Sequence, residues 1–155
     1  MCNPVLLPYY PQCFICGNEN PNGVQCQFRA EGDTVKSTFK TENWMVGYEG
    51  TVHGGIIGAV LDEALVWAAY AATGLFGVTA EIRIRYLRPL VVGAVCEVKG
   101  WMVENKGKIW VAESELTLED NTLLSRAHGK IIPLNPAKQE QFKEQIKKPF
   151  PFRIP

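Results

Sequence analysis

The chain has 155 residues, of which 46% are hydrophobic and 21% are charged, as is typical of one globular domain. Its 16 Lys and Arg residues balance its 16 Asp and Glu residues, so the formal net charge is zero. This balance argues against a general nucleic-acid binder, which would carry a basic excess. The length is that of one domain, so we expect a single domain over residues 1–155. The N-terminus lacks the charged and apolar regions of a signal peptide, so we expect a cytoplasmic protein.

The first third of the chain is predicted to be irregular and then extended. Residues 1–23 are rich in Pro, Asn, Gly and Cys and show no period, which indicates an irregular arm. Residues 24–29 and 34–41 are typical of two strands on either side of a turn at residues 31–33. A glycine-rich segment at residues 47–55 leads into the next element.

The cysteines cluster near the N-terminus. Cys13 and Cys16 have the C-x2-C spacing of many zinc sites, and Cys26 and Cys2 lie close to them in sequence. The second C-x2-C pair of a typical structural zinc site is missing. We therefore favour reduced packing thiols and no metal, and we keep a zinc site as the alternative.

A long helix is predicted next, because hydrophobic residues recur at helical spacing from about residue 54 to residue 73. A helix that is apolar nearly all round is typical of a buried helix. The apolar run is long enough to raise the question of a membrane span, but Asp62 and Glu63 interrupt it, and charges are costly in a bilayer. We therefore expect a core helix that ends near Gly74, and no membrane span.

The rest of the chain reads mainly as strands. Four are predicted, at residues 79–87, 94–103, 109–118 and 123–132. The short turns between them favour antiparallel hairpins. A polar helix at residues 136–148 and an extended tail to residue 155 follow. Because one apolar helix must be covered, we predict an α+β fold in which a curved antiparallel sheet wraps a long central helix.

In the first of these strands, simple alternation places Thr79, Glu81, Arg83 and Arg85 on one face. Ala80, Ile82, Ile84 and Tyr86 then share the opposite face.

The start of the long helix carries features that fit carbonyl chemistry. Gly54 and Gly55 open it, where backbone N–H groups lack partners and the dipole is positive, as an oxyanion hole requires. Asp62 lies within the apolar helix, where a carboxylate usually has a partner or a task. Seven residues separate Gly55 from Asp62, which is roughly 10 Å along the axis. Both groups can serve one carbonyl only if two copies of the helix contribute, which predicts a dimer with interfacial sites.

Each feature alone has a structural explanation. A Gly-Gly pair often serves packing, an Asp-Glu pair can form a solvated face or an ion pair, and a histidine before a helix, here His53, is commonly a cap. Their combination at this spacing, in a helix between strands, is what points to a functional site.

The sequence also resembles a known family. His-Gly-Gly at residues 53–55 with Leu-Asp-Glu-Ala at residues 61–64 resembles the helix motif of hot-dog-fold acyl-CoA thioesterases of the phenylacetic-acid-pathway type. Residues 13–23, 78–82 and 86–89 also resemble segments of these enzymes, so that the likeness covers roughly residues 13–134. The resemblance implies a hot-dog fold and hydrolysis of acyl-CoA thioesters to a free acid and CoA.

Individual roles follow from this resemblance. It implies that Asp62 is the general base or nucleophile, and that the N–H of Gly54, with Gly55 beside it, is the oxyanion donor. It implies that His53 orients the loop or the thioester, and that Thr79 positions water or the carboxylate. No metal or redox cofactor is implied, since CoA is part of the substrate, and a homodimer or homotetramer is expected.

Substrate contacts are less clearly marked. Tyr48, Glu63 and Arg88 are predicted to contact the acyl-CoA, Arg88 through a CoA phosphate. Many relatives have Asn, Gln or His where this chain has Gly47, and Tyr48 or Glu49 is the candidate replacement. Four hydrophobic residues in or just after the long helix fit either an acyl tunnel or, as we favour, plain core; they are Ile56, Trp67, Tyr70 and Phe76. Two other functions stay open, namely a hydroxyacyl-thioester dehydratase and a non-catalytic acyl-CoA-binding module.

Overall fold

The computed structural model describes residues 4–147. In chain order, the elements are β1 (Val5–Leu6), β2 (Arg29–Glu31), β3 (Thr34–Lys40), a single 3-10 turn (Asn43–Met45), α1 (Gly54–Thr73), β4 (Gly77–Tyr86), β5 (Val95–Asn105), β6 (Trp110–Leu118), β7 (Leu123–Pro133) and α2 (Pro136–Gln145). Every strand pair is antiparallel, in the order β1-β2-β3-β5-β6-β7-β4. The predicted α+β architecture, one antiparallel sheet around one long helix, is confirmed.

Helix α1 fills the concave side of the sheet and packs against β3, β4, β5, β6 and β7. Val60, Leu61, Ala64 and Leu65 are fully buried there. Within the sheet, the Ser114 hydroxyl donates to the Leu61 carbonyl at 3.0 Å, so that even a buried polar side chain of β6 is satisfied by the helix. By length and composition α1 could cross a membrane, but here it is the core helix of the fold.

The N-terminal part of the chain differs from the prediction. Residues 24–28 are not a strand, because Gln25 adopts φ 60° and the N–H groups of Val24 and Cys26 donate to the carbonyls of Phe14 and Ile15. This segment therefore pairs irregularly with the arm, and the strand starts only at Arg29.

The two ends of the chain also depart from the prediction. The arm contributes the short strand β1, which extends the sheet beyond β2. Helix α2 ends at Gln145 rather than at residue 148, and the predicted extended tail lies outside the described residues.

Strand β4 contains a bulge that reverses part of its predicted alternation. Its register against β7 shifts between Thr79 and Glu81, so Ala80 is an extra residue. As a result Thr79, Ile82 and Ile84 are half-buried, whereas Ala80 is exposed. The prediction that Thr79 shares a face with Glu81, and Ala80 a face with Ile82, was therefore wrong. The bulge turns Thr79 towards α1.

Strand β4 is also the edge of the sheet. It pairs only with β7, so its other side carries backbone N–H and C=O groups without a strand partner in the described part of the chain. Exposed apolar side chains lie along it, with Val78 46% and Tyr86 52% accessible. An open edge with apolar side chains is a surface on which another strand can add.

Candidate active site

The loop before α1 is folded so that His53 caps the helix. The His53 N–H donates to the Met45 carbonyl at 2.8 Å, and the Gly47 N–H donates to the Thr51 carbonyl at 2.8 Å. The backbone of His53 is extended (φ −62°, ψ 133°), and its Nδ1 accepts the Gly55 N–H at 2.8 Å. This is the geometry of a helix N-cap, made here by an imidazole nitrogen.

The His53 cap occupies one of the two predicted oxyanion donors and leaves the other available. The Gly55 N–H is occupied by His53, whereas the Gly54 N–H has no acceptor among the described residues. A Cβ placed on Gly54 would lie 3.6 Å from the Tyr86 ring, which is ordinary contact, and the Tyr86 hydroxyl donates to the Gly54 carbonyl at 2.9 Å. The free donor at the positive end of α1 is therefore that of Gly54.

Two shallow clefts meet at Gly54. One, of about 280 Å³, is lined by Gly47, Tyr48, Val52, His53 and Gly54. The other, of about 270 Å³, is lined by residues of the same loop and of the β4–β5 connection, including Arg88. One guanidinium nitrogen of Arg88 donates to the Leu123 carbonyl at 2.7 Å. The structure thus places four of the predicted site residues, namely Tyr48, His53, Gly54 and Arg88, around the start of α1.

Asp62 and Thr79 form a second group. Asp62 Oδ1 and Thr79 Oγ1 are both buried and have no hydrogen-bond partner. Burial raises the pKa of Asp62, and the neighbouring Thr79 hydroxyl opposes that rise. Since buried polar atoms are nearly always paired, two unpaired ones side by side mark a place where water or a substrate group can bind.

These two groups lie far apart within one chain. Gly54 and Asp62 are eight positions apart on the continuous helix α1, which is roughly 12 Å along its axis. The oxyanion donor and the attacking atom must both lie about 3 Å from the reacting carbonyl, and the base must reach that carbonyl directly or through one water molecule. A single chain therefore does not assemble both groups around one carbonyl.

The glycine at position 47 has a structural explanation. A Cβ on Gly47 would lie 3.0 Å from His53 Cα and 3.2 Å from its Cδ2, so a side chain would displace the capping histidine. Tyr48 is 87% exposed, and Glu49 is also exposed. Replacement of the missing polar group by Tyr48 or Glu49 stays a prediction.

Glu63 lies on a different side of α1 from Asp62. Its carboxylate accepts the Trp67 indole N–H at 2.8 Å and faces a cavity of about 390 Å³ beneath the N-terminal arm. Burial raises the pKa of Glu63 to about 7. The cavity is also lined by Tyr70 and Phe76, whereas the clefts at Gly54 do not include Glu63. The role of Glu63 in substrate binding stays a prediction.

Comparison with known proteins identifies similar families and folds. Residues 49–125 match the sequence model of the Thioesterase superfamily. The acyl-coenzyme A thioesterase THEM4 of Bos taurus is 26% identical over 130 residues, which cover 82% of this chain and 53% of that protein. The chain thus spans about half the length of this curated relative.

Two solved structures have a similar fold. A hypothetical thioesterase from Streptococcus pneumoniae TIGR4, in complex with coenzyme A, has a TM-score of 0.65 and 23% identity, covering 71% of this chain and 86% of that one. The PaaI protein of the phenylacetic acid degradation operon of E. coli has a TM-score of 0.66 and 19% identity, and the match covers 72% of this chain and 81% of that one. Residues 49–125 therefore match the thioesterase superfamily, and the chain has the hot-dog fold of the PaaI-like type.

Proposed function

We propose that the protein hydrolyses acyl-CoA thioesters to a free acid and CoA, at sites shared between two copies of the chain. The observation that carries the proposal is the buried Oδ1 of Asp62, which has no hydrogen-bond partner and lies near the equally unpaired hydroxyl of Thr79. The name of the bovine relative and the coenzyme A in the streptococcal structure support the same substrate class.

The chemistry needs only groups that the chain provides. Asp62 takes a proton from a water molecule as the water oxygen attacks the thioester carbonyl, and the oxygen anion that forms accepts the Gly54 N–H. The tetrahedral intermediate then collapses, the C–S bond breaks, and the CoA thiolate takes the proton from Asp62. The raised pKa of Asp62 makes it a better base than an ordinary aspartate.

Thr79 positions the attacking water or the carboxylate in this scheme. The alternative route, with Asp62 as the nucleophile, passes through an acid anhydride on Asp62 that water then hydrolyses. Neither route uses a metal or a redox cofactor.

The distance along α1 and the open edge of the sheet support the two-chain arrangement. If β4 of a second copy pairs with the exposed edge of β4, the helices α1 of the two copies lie side by side beneath one continuous sheet. The free Gly54 N–H of one copy can then approach Asp62 of the other, and the pair forms two equivalent sites. A homodimer satisfies this requirement, and a homotetramer contains two such pairs.

The clefts at Gly54 are where we place the CoA moiety. Arg88 uses one guanidinium nitrogen on the Leu123 carbonyl and keeps further donors for a phosphate. Tyr48 offers an exposed ring at the other of the two clefts. His53 holds the loop and the first turn of α1 in place, with its Nδ1 fixed on Gly55. We also propose a cytoplasmic location, with which the free thiols of Cys13, Cys16, Cys26 and Cys96 agree.

Thiol release from a panel of short, long and aromatic acyl-CoAs tests the proposal. We expect release by the wild type and a fall of several orders of magnitude for Asp62→Asn, because the base is lost while the volume is kept. Asp33→Asn, an exposed aspartate in the β2–β3 turn, is the matched control. Binding of acyl-CoA without turnover would contradict hydrolysis and favour the binding module, and a change in enoyl absorbance without thiol release would favour the dehydratase.

A further inference from the structure

We propose that Cys13, Cys16 and Glu63 form a binding site for a thiophilic divalent cation such as Zn²⁺, at the edge of the cavity beneath the N-terminal arm. Their two sulfur atoms and a carboxylate oxygen all lie within 4.8 Å of one another. Cys13 Sγ lies 3.6 Å and 3.7 Å from the two oxygens of Glu63. Ligands of a tetrahedral zinc ion, each about 2.0–2.3 Å from the metal, lie roughly 3.3–3.8 Å apart, so small side-chain movements complete the geometry.

The C-x2-C turn is shaped to present sulfur to a cation. Cys13 Sγ accepts the N–H groups of Ile15 at 3.3 Å and of Cys16 at 3.4 Å. Backbone N–H donors of this kind stabilise a thiolate, which is the form that binds a metal. The Gly17 N–H donates to the Cys13 carbonyl at 3.1 Å, and a Cβ at Gly17 would clash with that carbonyl. The turn therefore requires a glycine at position 17, directly after the Cys-x-x-Cys pair.

The third ligand is held in place by a second contact. The Trp67 indole N–H donates to Glu63 Oε1 at 2.8 Å, as outer partners of metal-binding carboxylates commonly do. No ion pair involves Glu63 among residues 4–147, and the cavity lining in that part of the chain contains no Lys, Arg or His. A carboxylate beside two thiols thus lacks a positive partner, and a bound cation would supply it.

The set differs from the zinc alternative considered from the sequence. Cys26 is fully buried but does not join the cluster, and Glu63 takes its place. Cys2 lies outside the described residues. Since Cys13 and Glu63 are 50 positions apart, a cation here would tie the arm to α1. Three protein ligands leave a fourth position, which opens on the aromatic cavity and is free for water.

This site is separate from the proposed reaction centre. Asp62 faces Thr79 on β4, whereas Glu63 faces the arm. Loss of the cation is therefore expected to loosen the arm and lower the unfolding temperature, without removing the base or the oxyanion donor.

Metal titration of the 155-residue chain tests the proposal. The protein is stripped with a chelator under reducing conditions, then loaded with Co²⁺ and, separately, with Zn²⁺. We expect about one ion per chain and a near-ultraviolet absorption from thiolate-to-cobalt charge transfer. Cys13→Ser and Glu63→Gln are expected to weaken binding by more than about tenfold, and Trp67→Phe, which removes only the outer hydrogen bond, by about tenfold.

Cys96→Ala is the matched control, since Cys96 is a buried free cysteine on β5 outside the cluster. This variant is expected to bind about one ion per chain and to show the same thiolate-to-cobalt absorption as the wild type. Wild-type protein that is folded and fully reduced, yet takes up neither ion, would overturn the proposal. So would uptake that survives unchanged in Cys13→Ser and Glu63→Gln.

Discussion

Replacement of Gly54 by proline removes one N–H donor and leaves helix α1 able to form. Gly54 is the first residue of α1, where proline is well tolerated because the N–H has no partner inside the helix. The preceding residue, His53, already has the extended backbone that a following proline requires. The Cβ has room, with 3.6 Å to the Tyr86 ring.

The expected loss can be worked from the role of that donor. If the Gly54 N–H holds the oxyanion, Gly54→Pro loses a stabilising bond made mainly in the transition state. Removal of one such donor typically lowers kcat by about 10²–10³, or about 2.7–4 kcal/mol. Gly54→Ala is the matched control, because it adds the same Cβ and keeps the N–H, and its kcat is expected to stay within about threefold of the wild type.

The assay is steady-state thiol release, with helix content followed by circular dichroism. The reasoning is refuted if folded Gly54→Pro keeps the wild-type kcat. It is also refuted if kcat falls as far in Gly54→Ala as in Gly54→Pro, since the effect would then come from the added side chain rather than from loss of the N–H donor.

Four further outcomes follow from the site. Because burial raises the pKa of Asp62, the rate of hydrolysis should begin to fall with decreasing pH while the pH is still above the usual aspartate range. A pH–rate profile that stays flat down to the usual aspartate range contradicts the assignment of Asp62 as the base. The same shift means that ionised Asp62 destabilises the folded state, so Asp62→Asn should unfold at a higher temperature than the wild type at pH 7. This difference in unfolding temperature should vanish below the pKa of the carboxyl in the unfolded chain, where Asp62 is protonated in both states. A difference that does not change with pH argues against burial as the cause of the shift. Thr79→Val should lower kcat by at least about tenfold while Thr79→Ser keeps most of it, and equal activity of both would exclude a role for the hydroxyl. His53→Ala should cost about 1 kcal/mol of stability through loss of the cap, whereas His53→Asn should keep the cap; equal unfolding temperatures would contradict this.

Local periodicity was sufficient to predict the long helix. The apolar pattern from residue 54 to residue 73 predicted the bounds of α1, because helix length and burial are set by residues that are neighbours in sequence. The positions of Gly54 and Asp62 on that helix followed directly. The same reasoning gave the large separation between them, and hence the hypothesis of two chains.

Long-range contacts and local irregularities were not predictable in this way. The bulge at Ala80 depends on pairing between β4 and β7, and it is what turns Thr79 towards Asp62. The contact of Cys13 with Glu63 joins residues 50 positions apart, and only the folded arm brings them together. The composition of residues 24–28 is typical of a strand, but hydrogen bonds to the arm and the positive φ of Gln25 make this segment irregular.

The central claim, that each site combines Asp62 of one chain with Gly54 of another, is tested most directly by mixing two inactive variants. Asp62→Asn and Gly54→Pro are co-refolded in equal amounts, and thiol release is compared with that of each variant alone. Random pairing gives about half hybrid dimers, each with one intact site of two, so about a quarter of the wild-type activity should return. If the sites lie within single chains, every chain in the mixture carries a defect, and activity no higher than that of the separate variants would contradict the account.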